Sequence, residues 1–350
     1  MSTEARRLEA AQAFGVPPAP GAITPWTWVW GGFLGWRRRR WAPRARRLPA
    51  TVLCVGNLLV GGSGKTPLVA AIARHLRDAG RRVAILSRGY GRATRGVRVA
   101  SRGRGPEGTH AEIGDEPFLL ALELDGVAVV VGEDRHRAGL RALATITPPP
   151  DLFLLDDGFS HVALARDLDL LAFPTHRPWG NGRLLPFGSL REPIAAVRAA
   201  HAAILTGVEG NPTGAGGALA DRLRPFGFTG PGFAAGVTAT LDRQPPSTRV
   251  VLATGVALPE RVLATAGGVG LDVVEHLAFG DHHRFPARSL ERIERALTRT
   301  GACGVVVTSK DFAKIEGRVA APLYELRIAA VLEPAFWRWL EQTLAAIPAP

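Results

Sequence analysis

Residues 51–76, TVLCVGNLLVGGSGKTPLVAAIARHL, constrain this 350-residue chain more than any other stretch. A short β-branched run, Thr51–Val55, leads into a glycine-rich turn. An alanine-rich helical pattern then runs from Thr66 to Asp78 and is ended by Gly80. A strand, a glycine turn and a helix opening at Lys-Ser/Thr form a phosphate-binding loop. Gly61, Gly62, Ser63 and Gly64 let backbone N–H groups converge on phosphate oxygens, and the helix N-terminus adds partial positive charge. Lys65 is spaced to reach β- and γ-phosphates, and Thr66 to hold Mg²⁺. The usual G-x-x-x-x-G-K-[ST] pattern fails at Leu59, but G-G-S-G still supplies the tight turn.

A second signal falls where such a loop needs it. DLFLLDDG is an apolar strand ending in Asp156 and Asp157. Carboxylates at a C-terminal strand end beside a phosphate loop are where a Mg²⁺ ligand belongs. Together the two segments point to a bound nucleoside triphosphate. The spacing V-G-G-S-G-K-T also resembles the loop of the ParA/MinD-like switch ATPases, but their signature lysine would fall on Val60.

Strand-length apolar runs recur at 82–86, 127–131, 152–157, 169–173 and 202–205, with helical patterns between several of them, such as 115–124 and 135–144. A glycine-rich loop is expected at 207–217. A second series follows at 249–254, 259–266, 271–279, 287–299 and 304–309. The fold class is therefore α/β: a P-loop NTPase-type, mostly parallel sheet with helices on both faces, plus a second, smaller α/β domain. The expected division is a basic, Trp-rich segment 1–47, a nucleotide-binding core 48–228, linker strands 229–242 and 323–331, the smaller domain 243–322 and a C-terminal helix 332–350. Cys54 and Cys303 sit in apolar runs that read as buried strands, so a disulfide framework is excluded.

The net charge is +12, and residues 1–50 hold nine arginines against Glu4 and Glu9. Lysine occurs only at Lys65, Lys310 and Lys314, so each one invites a question about role. Five of the eight tryptophans, at positions 26, 28, 30, 36 and 41, lie beside the run Arg37–Arg40. The apolar run is too short to cross a bilayer, which needs about 20 residues, and no cleavage site follows it. Tryptophan at headgroup level beside arginine suits an anionic membrane surface. The same pattern suits a helix packed on the domain with a solvated arginine face, or nucleic acid.

VGNLLVGGSGKTP, LSRGYGR, GDEP, VGEDRHRAG, DDGF, RDLDLL, GNGRLLPFGSLREP, DHHRF and TSKDFAKI, in that order, resemble the blocks of the tetraacyldisaccharide 4'-kinase family. The resemblance spans about residues 24–330, and GNGRLLPFGSLREP and DDGF are its specific blocks. It implies an ATP- and Mg²⁺-dependent kinase of lipid A biosynthesis. Such a kinase phosphorylates the 4'-hydroxyl of a tetraacylated disaccharide 1-phosphate to give lipid IV-A. It also implies a peripheral protein on the cytoplasmic face of the bacterial inner membrane; no nucleic acid is expected as a partner, and no protein partner is inferred. Carried over block by block, the resemblance makes Asp115 the catalytic aspartate with Glu116 beside it. Asp156 and Asp157 become the acids near the metal, and His282, preceded by Asp281, the histidine working with Asp115. Arg88, Tyr90, Arg135 and Asn181 fall in blocks lining the acceptor or nucleotide side. Two positions depart from the family: Ser160 stands where D-D-G-F-Q has glutamine, and Pro174 where an acidic residue is usual.

Overall fold

The computed structural model describes residues 25–61, 64–209 and 212–348. Gly62 and Ser63 of the expected phosphate loop, and residues 1–24 of the basic segment, lie outside the described residues. The chain forms two compact units, one ending at Val237 and resumed from Ala330, the other Thr238–Ala329.

The first unit begins with helix α1 (Pro25–Trp41). Its sheet and helices follow as β1 (Thr51–Gly56), α2 (Lys65–Asp78), β2 (Val83–Ser87), β3 (Arg98–Arg102), α3 (His110–Ile113), α4 (Asp115–Glu123), β4 (Ala128–Val131) and α5 (Arg135–Thr145). The remaining elements are β5 (Leu152–Asp156), β6 (Leu168–Pro174), β7 (Ala202–Val208), α6 (Ala215–Leu223) and β8 (Gly232–Leu241), whose last residues from Thr238 belong to the second unit. The strand order is β8-β7-β6-β1-β5-β2-β4-β3. β1, β2, β5 and β6 are buried along their whole length because helices cover both faces, which is why they read as continuous apolar runs. One core cluster lies on each face, around Phe153, Phe159 and Phe173 on one side and Leu68, Ile72 and Ile85 on the other.

Two elements differ from the sequence expectation. β3 is an antiparallel edge strand on β4 that the pattern of apolar runs does not reveal. Its sequence, RVASR, carries charge at both ends, as an edge facing water permits. The expected loop 207–217 is already helical from Ala215. A Cβ on Gly216 would stand 2.3 Å from the Phe233 backbone, so this glycine serves the close approach of α6 to β8 rather than a loop.

The second unit carries β9 (Arg249–Thr254), α7 (Pro259–Gly268), β10 (Asp272–Ala278), α8 (Ala287–Thr300), β11 (Val305–Thr308), α9 (Ser309–Ile315) and β12 (Leu323–Leu332). Its strands run β10-β9-β11-β12, all parallel. Cys54 is buried in β1 as expected, but Cys303 is not in a strand. It precedes β11, is half-buried, and its Sγ donates to the Ser247 carbonyl at 3.1 Å. The chain returns to the first unit along the end of β12 and closes with α10 (Pro334–Ala346). There Phe336 meets Phe233 edge-on at 5.4 Å, and His75 stacks on Trp337 at 4.1 Å.

α1 presents two unlike faces. Leu34 and Arg38 turn inward, Leu34 buried and Arg38 paired with buried Glu192 at 2.9 Å. Val29, Phe33 and Trp36 share the opposite side, at 3.6 residues per turn, and all three are exposed. Among the described residues no helix is long and apolar enough to cross a membrane.

Candidate active site

β1 lies between β5 and β6, and the register sets Val55 beside Asp156. The turn after β1 and the acids after β5 therefore share one end of the sheet, the usual ligand position in an open α/β sheet. Gly64 has the left-handed φ of 69° that lets the loop turn into α2. Lys65 then opens the helix, with Thr66 next to it.

The Lys65 ammonium donates to Asn57 Oδ1 at 2.9 Å and pairs with Asp157 Oδ1 at 3.2 Å. Arg191 joins the same cluster. Its guanidinium grips both Asp157 oxygens at 2.8 and 3.1 Å, donates to Asn57 Oδ1 at 2.7 Å and to the Leu59 carbonyl at 2.9 Å. Asp157 holds a left-handed φ of 53°, a conformation aspartate tolerates better than most residues. Burial works against its charge, but Lys65 and Arg191 outweigh burial and keep its pKa below the usual carboxylate value.

Asp156 has the opposite fate. It is buried, and burial together with the charges of Glu116 and Asp157 raises its pKa to about 7. Its Oδ2 accepts from the Ser87 hydroxyl at 3.1 Å, while its buried Oδ1 has no hydrogen-bond partner among the described residues. A buried carboxylate oxygen without a partner is costly unless a cation meets it. The unpartnered Asp156 oxygen is a hard ligand of the kind Mg²⁺ takes alongside phosphate and water. Among the described residues no group of three or more His, Cys, Asp and Glu side chains is arranged to hold a metal ion by itself.

Glu116 sits on α4 close enough to act electrostatically on Asp156. Asp115 is the first residue of α4, its carboxylate 3.9 Å from His110 Nδ1. The preceding Gly114 has φ 97°, and a Cβ there would press on the Gly89 backbone at 3.0 Å. The SRGYGR loop and the start of α4 thus touch backbone to backbone. Arg88 and Tyr90 on that loop are exposed. Arg135 is buried at the start of α5, donating to the carbonyls of Gly132 at 3.3 Å and Glu133 at 3.0 Å. Burial and the charge of Arg88 lower its pKa, while Asp156 and Asp157 oppose the shift.

Asn181 organises the 181–189 loop: its Oδ1 accepts from the backbone N–H of Arg183 and Ser189, and its Nδ2 donates to the Phe187 carbonyl. A cleft of about 410 Å³ opens beside it, lined by Val60, Arg177, Asn181, Leu185, Gly188 and Ser189.

Asp281 and His282 belong to the second unit. His282 stands at φ 56°, and its backbone N–H donates to Asp281 Oδ1 at 3.0 Å. The two remaining lysines hold this turn. Lys310 donates to Asp281 Oδ1 at 3.0 Å, and Lys314, one helical turn later, to the His283 carbonyl at 3.2 Å. His283 is stacked on Phe279 and bonded to Ser289, so it is a packing residue of this unit.

A sequence model of the tetraacyldisaccharide-1-P 4'-kinase family matches residues 21–345. The chain belongs to that family. It is 40% identical over 296 residues to the tetraacyldisaccharide 4'-kinase of Geobacter sulfurreducens, covering 82% of this chain and 80% of the relative. It is 41% identical over 331 residues to that of Anaeromyxobacter sp. strain K, covering 87% and 85%. The crystal structure of LpxK from Aquifex aeolicus in complex with ATP superposes with a TM-score of 0.71. That protein is 30% identical, and the match covers 92% of this chain and 96% of the other. Membership in the 4'-kinase family does not favour the switch-ATPase reading, in keeping with the weak point already visible at Val60. Reading the residues in isolation singles out Lys65, Asp156 and Asp157. It passes over Arg191, Asn57 and Ser87, which complete the cluster around them. Arg191 lies 134 residues from Asn57, and its only signal is its place inside the GNGRLLPFGSLREP block.

Proposed function

We propose that this chain is an ATP-dependent kinase transferring the γ-phosphoryl group to the 4'-hydroxyl of an acylated disaccharide 1-phosphate. The observation that carries the reading is the buried Asp156 carboxylate, with one oxygen unpartnered, beside the Lys65–Asp157–Arg191 cluster. Lys65 and Arg191 supply positive charge to the phosphoryl oxygens, where alignment and charge neutralisation are most of the catalysis. Thr66, Asp156 and Asp157 would hold Mg²⁺, which when bound neutralises β- and γ-phosphate charge.

Asp115 is the proton acceptor in this reading. As the sugar oxygen bonds to phosphorus, the bond from phosphorus to the β–γ bridging oxygen breaks, ADP leaves, and the hydroxyl proton goes to the carboxylate. Glu116, Arg88, Tyr90, Arg135 and Asn181 are assigned supporting or substrate-side roles. Acceptor dependence tests the activity: ATP consumption should require the acylated disaccharide phosphate. Equal consumption without acceptor would overturn the kinase reading.

The family resemblance pairs Asp115 with His282. Asp115→Ala should lower kcat at least a hundredfold with little change in KM for ATP, because a proton acceptor acts in the transition state. His282→Ala should lower it too, and the double variant should be barely worse than the worse single one. Losses that multiply would retire the pairing while leaving the kinase in place.

The outward face of α1 is assigned to an anionic membrane surface, with the arginines of the basic segment drawing it there. Replacing Phe33 and Trp36 together by serine should weaken co-sedimentation with anionic vesicles at least tenfold, since each ring buried in lipid contributes about 1.5–3 kcal/mol. Unchanged sedimentation would move the anchor elsewhere.

A further inference from the structure

α1 reaches the phosphate site through one side chain. The Arg38 guanidinium carbon lies over the Phe159 ring, 4.2 Å from its centroid. Its Nη2 donates both to the Phe159 carbonyl at 3.1 Å and to Glu192 Oε2 at 2.9 Å. Each of those contacts borders a residue of the cluster. Phe159 stands two residues after Asp157 on the loop leaving β5. Glu192 follows Arg191 directly. Phe159 also packs on the entry to the phosphate loop so closely that a Cβ on Gly56 would stand 2.4 Å from the Phe159 Cβ. Arg191 is tied to the same entry, its backbone N–H donating to the Leu58 carbonyl at 2.7 Å.

We propose that Arg38 is a positioning residue: it clamps the Asp157 loop to the Arg191 loop, and so sets the angle at which Arg191 and Asp157 meet the transferring phosphoryl group. The role rests on the reading of the first unit as the phosphoryl-transfer site. A single planar cation does three things at once here: it stacks, it binds a main-chain carbonyl, and it pairs with a buried carboxylate. Arginine can combine these and lysine cannot. Without Arg38, the 157–159 segment loses two fixed contacts and the 191–192 segment one, and an error of about 1 Å at a reacting centre can cost on the order of a hundredfold in rate. The proposal also assigns the two faces of α1 distinct tasks, the outer one with Val29, Phe33 and Trp36 exposed and the inner one with Arg38 bound to the site.

The test compares Arg38→Met, Arg38→Lys, and Arg38→Met combined with Glu192→Gln. Turnover is measured as ADP formation with ATP, Mg²⁺ and the acylated disaccharide phosphate dispersed in detergent micelles, and thermal stability is measured in parallel. Arg38→Met should lower kcat at least tenfold with KM for ATP changed less than threefold, and should lower Tm because the buried Glu192 carboxylate loses its ion pair with Arg38. The double variant removes the Glu192 charge together with the cation that paired with it. Its Tm should recover while kcat stays low, a split that a merely structural role would not produce. Arg38→Lys should fall between wild type and Arg38→Met. A double variant with wild-type Tm and wild-type kcat would overturn the positioning role. Lys65→Ala separates the two levels: an inactive Lys65→Ala beside a fully active double variant removes only the role of Arg38, whereas an active Lys65→Ala removes the site reading and this proposal with it.

Discussion

Lys65→Ala should reduce phosphoryl transfer by about 10²–10³-fold, the usual loss when one fixed charge-stabilising donor is removed from a transition state, while the protein stays folded. The fold should survive because the partners of Lys65 have a second cation. Asp157 and Asn57 both remain bound to Arg191, at 2.8 and 2.7 Å. β1 and α2 are held by apolar packing of Leu68, Val69 and Ile72, none of which touches solvent. The measurement is acceptor-dependent ADP formation, with a thermal melt of the same preparation. A folded Lys65→Ala protein within tenfold of wild-type kcat would show that the cluster does not bind the transferring phosphate.

Asp156→Asn should be inactive and, at pH 8 without divalent cations, more stable than wild type. The folded pKa of Asp156 is raised to about 7, whereas an unfolded aspartate ionises near 3.9. Between these values the unfolded chain has lost the proton and the folded one still holds it. Stability from this group therefore falls as pH rises from about 4 to 7 and stays low above 7. A shift of that size corresponds to a few kcal/mol at most, or several degrees of Tm at about 2–4 °C per kcal/mol. Asparagine can still accept from the Ser87 hydroxyl but carries no charge to bury. The Tm gain should therefore be largest at pH 8 and shrink towards pH 5. A gain independent of pH, or a less stable variant at pH 8, would show that Asp156 carries no buried-charge penalty. Under the proposed reading, a destabilising carboxylate at the end of β5 is a stability–function compromise, because a bound cation would offset its penalty.

The parts legible in the sequence were those with local signatures. The strand–turn–helix at Lys65 and the apolar strand ending in Asp156 and Asp157 each occupy a few consecutive residues, so backbone geometry follows from neighbours in the chain. The alternation of apolar runs and helical patterns likewise carried the α/β class and the mostly parallel sheet. What escaped was polar or depended on packing. β3 is short, charged and on an edge, so no apolar period marks it. Gly216 looked like a loop residue because composition cannot distinguish a glycine needed for close approach from one needed for a turn.

The segment rich in tryptophan and arginine shows where sequence stops. Its composition suited a membrane surface and a packed helix alike, and α1 has one exposed aromatic face and one face docked through Arg38. Which residues fell on which face was settled by helical phase against a partner, Glu192, 154 positions away. The unequal fates of two adjacent aspartates have the same origin. As sequence, Asp156 and Asp157 are interchangeable acids. The parallel register buries the first beside Val55 and Glu116, and a left-handed turn swings the second onto Lys65 and Arg191. The sequence by itself determined the chemistry available: a phosphate loop, two acids and the family blocks. The tertiary structure decided which acid is buried, which acid pairs with Lys65 and Arg191, and which helix meets Glu192, because burial and electrostatic environment depend on residues brought together across more than a hundred positions.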